Sequence, residues 1–165
     1  MLLTTLQLQQ FRCFRETEWQ FRPGINLIEG PNGSGKTSLL EALHYLCYLR
    51  SFRTFFTREL IQAGQTGFFV RAQFAATADP VPTAQTSLQI GFSPQKRIIK
   101  VAQREVQSYR ELLALYTAIS FVEDDLTLIK GEPSLRRTFL DQFIALYVPS
   151  YLSLLSDYKR TLVNR

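Results

Sequence analysis

The alternation of apolar and polar residues predicts two β-strands at the start of the chain, over residues 2–9 and 16–21. In the first of these, Leu6 and Leu8 alternate with threonine and glutamine. An Arg-Pro-Gly turn at residues 22–24 separates the second from a short apolar strand predicted over residues 25–29. That strand runs directly into a glycine-rich segment, so the pattern predicts a strand followed by a tight loop.

The periodicity then changes from two to about 3.6 residues, which is the helical period. It predicts a helix over residues 38–49, and Pro133 marks the start of another helix at its first turn. A further helix is predicted from about residue 150 to the end, after the interruption at Pro149. Between the helices the pattern predicts an antiparallel meander of three strands, then a short helix and a buried strand, over residues 68–75, 87–92, 97–102, 109–115 and 118–122.

Residues 30–37 read Gly-Pro-Asn-Gly-Ser-Gly-Lys-Thr and fit the pattern G-x-x-x-x-G-K-[ST] at every fixed position. Glycines allow the backbone to turn successive N–H groups toward phosphate oxygens, and the start of the following helix adds a positive field. Lys36 is expected to reach the β- and γ-phosphates, and the Thr37 hydroxyl to coordinate Mg²⁺. The predicted nucleotide-binding residues here are Gly30, Pro31, Asn32, Gly33, Ser34, Gly35, Lys36, Thr37 and Ser38.

Composition is that of a globular protein, with 45% hydrophobic and 20% charged residues, and no apolar stretch approaches the length of a membrane span. Cys13 and Cys47 lie far apart and form no metal-binding spacing, which predicts two reduced thiols. The net charge of +5 is compatible with a polyanionic partner.

Two groups of arginines are candidates for contacts with DNA. Arg50, Arg53 and Arg58 alternate with phenylalanines, and they form either a DNA-facing patch or a solvated rim whose aromatics belong to the core. Arg136 and Arg137 lie early in a predicted helix, where the helix dipole disfavours cations. They contact either DNA or an internal acidic residue.

Three stretches together resemble the RecF family of bacterial recombination mediators, within the class of SMC and ABC-like ATPase heads. Residues 6–12 followed by the phosphate loop resemble the class, while Arg-Ser-Phe-Arg-Thr at residues 50–54 and the stretch 124–141 narrow the resemblance to the family. The resemblance covers nearly the whole chain. It implies that Asn32 lies near the γ-phosphate and that Arg12 also lies by the phosphates.

The resemblance implies a cytoplasmic ATP- and Mg²⁺-dependent protein of DNA repair, replication and the SOS response. Such proteins dimerise on ATP, bind duplex DNA at gaps, hydrolyse ATP slowly and act with RecR and RecO to load RecA. Family members run to about twice this length, and their signature and Walker B motifs would lie beyond Arg165. The chain is therefore expected to be an N-terminal fragment that binds ATP without hydrolysing it and holds no catalytic residue of its own.

The chain departs from the family pattern in one segment. Glu123-Asp124-Asp125-Leu126 stands where the family has Pro-Glu-Asp-Leu, so the acidic character is kept while the turn geometry is left open. The same segment is a candidate for the place of the Mg²⁺-contacting glutamine of ABC heads.

The expected fold class is α/β, a P-loop NTPase of the ABC/SMC-head type with a mixed sheet, an antiparallel meander and the start of a helical lobe. We expect an ATP-binding lobe at residues 1–130 and a truncated helical lobe at residues 131–165. A small P-loop kinase and a generic SMC-like ATPase are the alternatives. A DNA- or protein-binding module with a vestigial site is disfavoured because phosphate and Mg²⁺ chemistry alone requires both Lys36 and Thr37 at this spacing.

Overall fold

The structure is a computed structural model that describes residues 2–75, 85–106, 112, 118–119, 127–148 and 150–163. Its contacts divide the chain into two compact units, Met1–Tyr109 and Arg110–Arg165. The predicted lobe boundary at residue 130 remains a prediction. Among the described residues, no helix is long and apolar enough to cross a membrane.

The first unit is built on a six-stranded antiparallel sheet in the order β2-β1-β3-β4-β5-β6. The strands are β1 (Leu2–Phe11), β2 (Phe14–Gln20), β3 (Phe68–Ala75), β4 (Gln85–Ser93), β5 (Lys96–Val101) and β6 (Arg104–Glu105). The predicted first two strands and the meander are confirmed, with bounds that shift by at most two residues. The two-residue β6 carries too few residues for an alternation to reveal it.

The register of the strands separates an apolar face from a polar one. Cross-strand neighbours on the apolar face are fully buried: Leu6, Leu8, Val70, Ala72, Leu88 and Ile90. On the other face Gln7, Arg71, Gln89 and Lys100 form a row across four strands. Because side chains alternate between faces, a shift of one residue would exchange the two sets, so burial fixes the register.

Helix α1 (Lys36–Tyr48) packs on the apolar face and contacts β1 and β3. Its buried side chains recur at helical spacing, at Leu39, Ala42, Tyr45 and Leu46. It ends at Leu49, which adopts a left-handed conformation with φ of 51° and donates its N–H to the Tyr45 carbonyl at 2.9 Å. The predicted helix is confirmed, beginning two residues earlier than the periodicity placed it.

The prediction of a strand over residues 25–29, and with it of a mixed sheet, is wrong for the described part of the chain. These residues pair with no described strand, and the side chains of Ile25 and Leu27 are 100% and 79% exposed. An apolar segment gains its stability as a strand from burial and from pairing on both edges. Neither is present here, and every pairing in the described sheet is antiparallel.

The helices of the second unit that are described over their length are α2 (Thr127–Lys130), α3 (Pro133–Tyr147) and α4 (Tyr151–Val163). The helices predicted from Pro133 and from about residue 150 are confirmed. The Tyr151 hydroxyl donates to the Asp141 carboxylate at 2.6 Å, which ties α4 to α3.

The remaining predictions fall largely on residues outside the described set. The helix predicted over 109–115 is described only at Leu112, and the acidic segment 123–126 is not described at all. Of the buried strand predicted over 118–122, only residues 118 and 119 are described. Neither belongs to a strand, and Ile119 is 68% exposed, so the prediction is wrong at these two positions.

Candidate functional site

The predicted phosphate loop forms a tight turn directly before α1. Gly33 and Gly35 have φ of 84° and 98°, a region that L side chains rarely adopt, so glycine is required at both positions. The Lys36 ammonium donates to the carbonyls of Gly30 at 2.7 Å and Pro31 at 2.9 Å. The lysine therefore folds over the loop and lies where a bound phosphate would compete for it.

Two side chains lie against this loop, one from the turn between β1 and β2 and one from the first residue of β2. A Cβ atom built on Gly35 would lie 2.7 Å from the Phe14 ring and 2.8 Å from the Cys13 sulfur. Gly35 is thus needed for space as well as for its backbone conformation. The sequence contains no local pattern that predicts this close contact, because Cys13 and Gly35 are brought together only by the packing of α1 on the sheet.

A cavity of about 200 Å³ lies beside the loop. Trp19, Ile28 and Leu39 line it together with residues 29–31 and 34–36. The Trp19 indole N–H is buried and has no hydrogen-bond partner among the described residues. Because Trp19 is the only tryptophan of the chain, its fluorescence reports on this site.

The donor set at the start of α1 fits Mg²⁺ held jointly with phosphate. Thr37 is exposed next to Lys36, while Ser38 is buried. Within the described residues, no three His, Cys, Asp or Glu side chains are grouped to hold a metal ion. Mg²⁺ keeps several waters and commonly takes one or two protein ligands plus phosphate oxygens, so a single hydroxyl is sufficient here.

Arg12, predicted to lie by the phosphates, is engaged with a carboxylate in this structure. Its Nε and Nη2 donate to the two oxygens of Glu41 at 2.9 and 2.7 Å, and its Nη1 donates to the Glu59 carbonyl at 2.9 Å. Glu41 lies on α1, one turn after the end of the loop. The predicted contact of Arg12 with a nucleotide stays a prediction.

The arginines of residues 50–58 all lie on the surface. Arg58 stacks over the exposed Phe56 at 5.4 Å, and Phe55 is fully exposed. The aromatics at 55 and 56 therefore do not belong to the core, contrary to the solvated-rim alternative. Phe52 differs, since its ring meets His44 edge-on with 5.4 Å between the ring centroids.

In the second unit Arg136 is held by backbone carbonyls. Its Nη1 donates to Leu128 at 3.3 Å and to Gly131 at 3.1 Å, so it satisfies acceptors at the end of α2. Asp141, an acidic residue on the same helix, accepts a hydrogen bond from Tyr151. Arg137 is exposed. The DNA contacts predicted for both arginines stay predictions.

Comparison with known proteins identifies the class to which this geometry belongs. The AAA domain family model matches residues 5–130. DNA replication and repair protein RecF of Protochlamydia amoebophila (strain UWE25) is 41% identical over 165 residues, covering 100% of this chain and 45% of that protein. RecF of Moorella thermoacetica is 37% identical over 163 residues, covering 99% of this chain and 42% of the relative. The chain spans less than half the length of these curated relatives.

Solved structures agree on the fold. A structure of the recombination mediator protein RecF with ATP matches with a TM-score of 0.85 and 30% identity, covering 99% of this chain and 43% of the other. An SMC ATPase structure matches with a TM-score of 0.70 and 21% identity, covering 87% and 99%. The predicted fold class, a P-loop fold of the ABC/SMC-head type, is confirmed.

Proposed function

Because the chain belongs to the AAA domain family and matches RecF proteins along its whole length, we propose that it is the ATP-binding head of a RecF-like DNA replication and repair protein. The observation that carries the proposal is the loop of residues 30–37, with Lys36 folded over it and Thr37 exposed at the start of α1. This arrangement serves the recognition of a triphosphate and has no evident structural purpose.

Each part of the loop has its own task in binding. Backbone N–H groups and the start of α1 hold the phosphates, and Lys36 exchanges its two carbonyl partners for phosphate oxygens. When bound, Mg²⁺ neutralises phosphate charge, and Thr37 is the side chain that would hold it. Buried contacts of α1 with the sheet hold the end of the loop that joins the helix.

The finer functional details rest on the resemblance to the RecF family. They comprise ATP-dependent dimerisation, slow hydrolysis in a longer protein, binding of gapped duplex DNA, and cooperation with RecR and RecO in loading RecA. A cytoplasmic location and a part in the SOS response belong to the same proposal. Arg50, Arg53 and Arg58 are its best candidates for DNA contacts, since all three are exposed on one segment.

The proposal is tested by titrating the chain with ATP and Mg²⁺ while following Trp19 fluorescence, with GTP as competitor and phosphate release read in parallel. Lys36→Ala should weaken ATP binding by about ten- to a hundredfold, because a charge-assisted contact contributes about 1.5–3 kcal/mol. Lys96→Ala removes the same charge from the exposed start of β5 and serves as the matched control.

Binding that prefers ATP, is lost in Lys36→Ala and shows no turnover supports the proposed head. An ATP affinity that is unchanged in Lys36→Ala would contradict the assignment of residues 30–37 as a phosphate-binding loop. Rapid turnover by this chain alone would favour a compact NTPase or a small kinase, because the proposal leaves the chain without a catalytic carboxylate.

A further inference from the structure

A buried carboxylate joins the phosphate-loop helix to the basic segment that follows it. Glu41 is 0% exposed, and its oxygens accept hydrogen bonds from Arg12 and from the Ser51 hydroxyl. The Ser51 oxygen also accepts the backbone N–H groups of Arg53 and Thr54, at 2.8 and 3.2 Å. The start of the segment is thereby anchored to α1 through one side chain.

Arg12 is the closer of the two arginines that pair with this carboxylate. Two parallel N–H···O bonds make the pair bidentate, the strongest arrangement for an arginine and a carboxylate. The side chain of Arg12 is only 21% exposed, and its third donor is bound to the Glu59 carbonyl. Arg12 is therefore fixed in place and has little freedom to leave Glu41.

Arg53 is the outer, weaker partner of the same carboxylate. Its Nη1 lies 3.5 Å from Glu41 Oε2, beyond good hydrogen-bond distance, and its side chain is 46% exposed. With Arg12 already pairing Glu41, the positive charge of Arg53 is in excess. Arg50 and Arg58 lie on the same exposed segment, which makes its surface cationic.

We propose that Arg53 is shared between Glu41 and a backbone phosphate of duplex DNA, and that Glu41 is the positioning residue that competes for it. The inference rests on the DNA-binding part of the proposed function and deepens it. In the free protein Arg53 forms an ion pair with Glu41, and this pair holds the segment close to α1. On binding, its guanidinium turns outward to the phosphate while Arg12 continues to neutralise the buried charge.

The competition predicts that loss of the Glu41 charge raises the affinity for DNA, whereas a merely structural role of Glu41 predicts no such rise. Glu41→Gln keeps the shape of the side chain but removes the charge that holds Arg53. DNA affinity should then rise by about two- to fivefold, the range expected for a partly exposed ion pair. Arg53→Gln should lower the affinity by about two- to tenfold and reduce the slope of log affinity against log salt by about one.

The experiment measures the anisotropy of a fluorescent gapped duplex at several salt concentrations, with the wild-type chain, both single variants and the double variant. Arg104→Gln, which removes an exposed arginine from β6, is the matched control and should change neither the affinity nor the slope attributed to Arg53. The gain from Glu41→Gln should vanish in the double variant, because it acts through Arg53. Circular dichroism verifies that each variant is folded.

A folded Glu41→Gln variant that binds DNA more weakly or equally overturns the competition, as does a gain that survives in the double variant. An unchanged salt slope in Arg53→Gln overturns the phosphate contact. Should Glu41→Gln fail to fold, Glu41→Asp replaces it, because the shorter carboxylate keeps the charge but draws away from Arg53. The DNA affinity of this variant should then rise, and a folded variant with unchanged or lower affinity overturns the competition. A wild-type chain that binds no duplex overturns the DNA-binding part of the proposed function and this inference with it.

Discussion

Substituting Gly35 by alanine should disable the phosphate loop through two separate costs. The first is conformational, since φ at Gly35 is 98° and a left-handed backbone costs an L residue about 1–2 kcal/mol. The second is steric, since the new Cβ would lie 2.7 Å from the Phe14 ring and 2.8 Å from the Cys13 sulfur. Both neighbours are side-chain ends that can shift, so we take the low end of overpacking, about 1–2 kcal/mol. The free energy of unfolding should fall by about 2–4 kcal/mol.

Two other glycines separate these costs. Gly24 and Gly33 have φ of 91° and 84°, and a Cβ at either would meet no atom within 4 Å. Their alanine variants should therefore lose only the conformational part, about 1–2 kcal/mol. Gly24→Ala lies before the loop and should keep ATP binding, whereas Gly33→Ala disturbs the loop itself.

The assay is urea unfolding of the first unit, followed by circular dichroism, together with the ATP titration on each folded variant. Adding Phe14→Ala to Gly35→Ala removes one clash, so a double-mutant cycle should show coupling between the two sites. Equal losses of stability in Gly35→Ala and Gly24→Ala, with no coupling to Phe14, would refute the close approach seen at Gly35.

Three further predictions concern thiols, alkaline pH and the second unit. Cys13 is exposed beside Gly35 and should react with iodoacetamide more slowly when Mg²⁺ and ATP are present, while Cys47, whose burial raises the pKa to about 11, should stay unreactive until unfolding. Mass spectrometry distinguishes the two thiols, and equal labelling of both in the native chain would contradict this. Burial also raises the pKa of Tyr45 to about 12, with Arg97 opposing the shift. Folding favours the neutral form of both groups, so their contribution to the free energy of unfolding is complete below pH 9. It is lost as pH rises through 11 and 12, by about 3 kcal/mol per group. Urea unfolding at a series of alkaline pH values measures this loss, and Cys47→Ala should abolish the part that begins near pH 9. Tyr151→Phe removes the hydrogen bond to Asp141 and should destabilise the α3–α4 pair, measured as a lower melting temperature of the helical signal.

Much of the first unit could be predicted from local patterns. The alternation around Leu6 and Leu8 predicts β1, and the helical spacing of Leu39, Leu43 and Leu46 predicts α1, because burial of one face imposes those periods. The phosphate loop is predicted for a similar reason, since its chemistry requires fixed residue types over eight adjacent positions.

Long-range contacts could not be predicted in this way. Arg12 and Glu41 are 29 positions apart, and their pairing depends on how α1 packs against the sheet. Conversely, the apolar residues 25–29 carry a valid strand pattern, but Ile25 and Leu27 remain exposed because no described strand pairs with them. A hydrophobic pattern shows which side chains a segment could bury. Whether a neighbouring strand or helix covers those side chains depends on the whole fold.

The pairing of β1 with β3 has a consequence for the order in which the chain folds. β1 and β2 form a hairpin between near neighbours, and so do β3, β4 and β5, whereas Gln9 meets Phe69 across about 60 intervening positions. That segment contains both the phosphate loop and α1. Closing it carries the largest entropic cost in the sheet, so the hairpins should form first. The loop then acquires its structure only as the two halves of the sheet join, and stopped-flow refolding should show Trp19 fluorescence reaching its native value in the slowest phase.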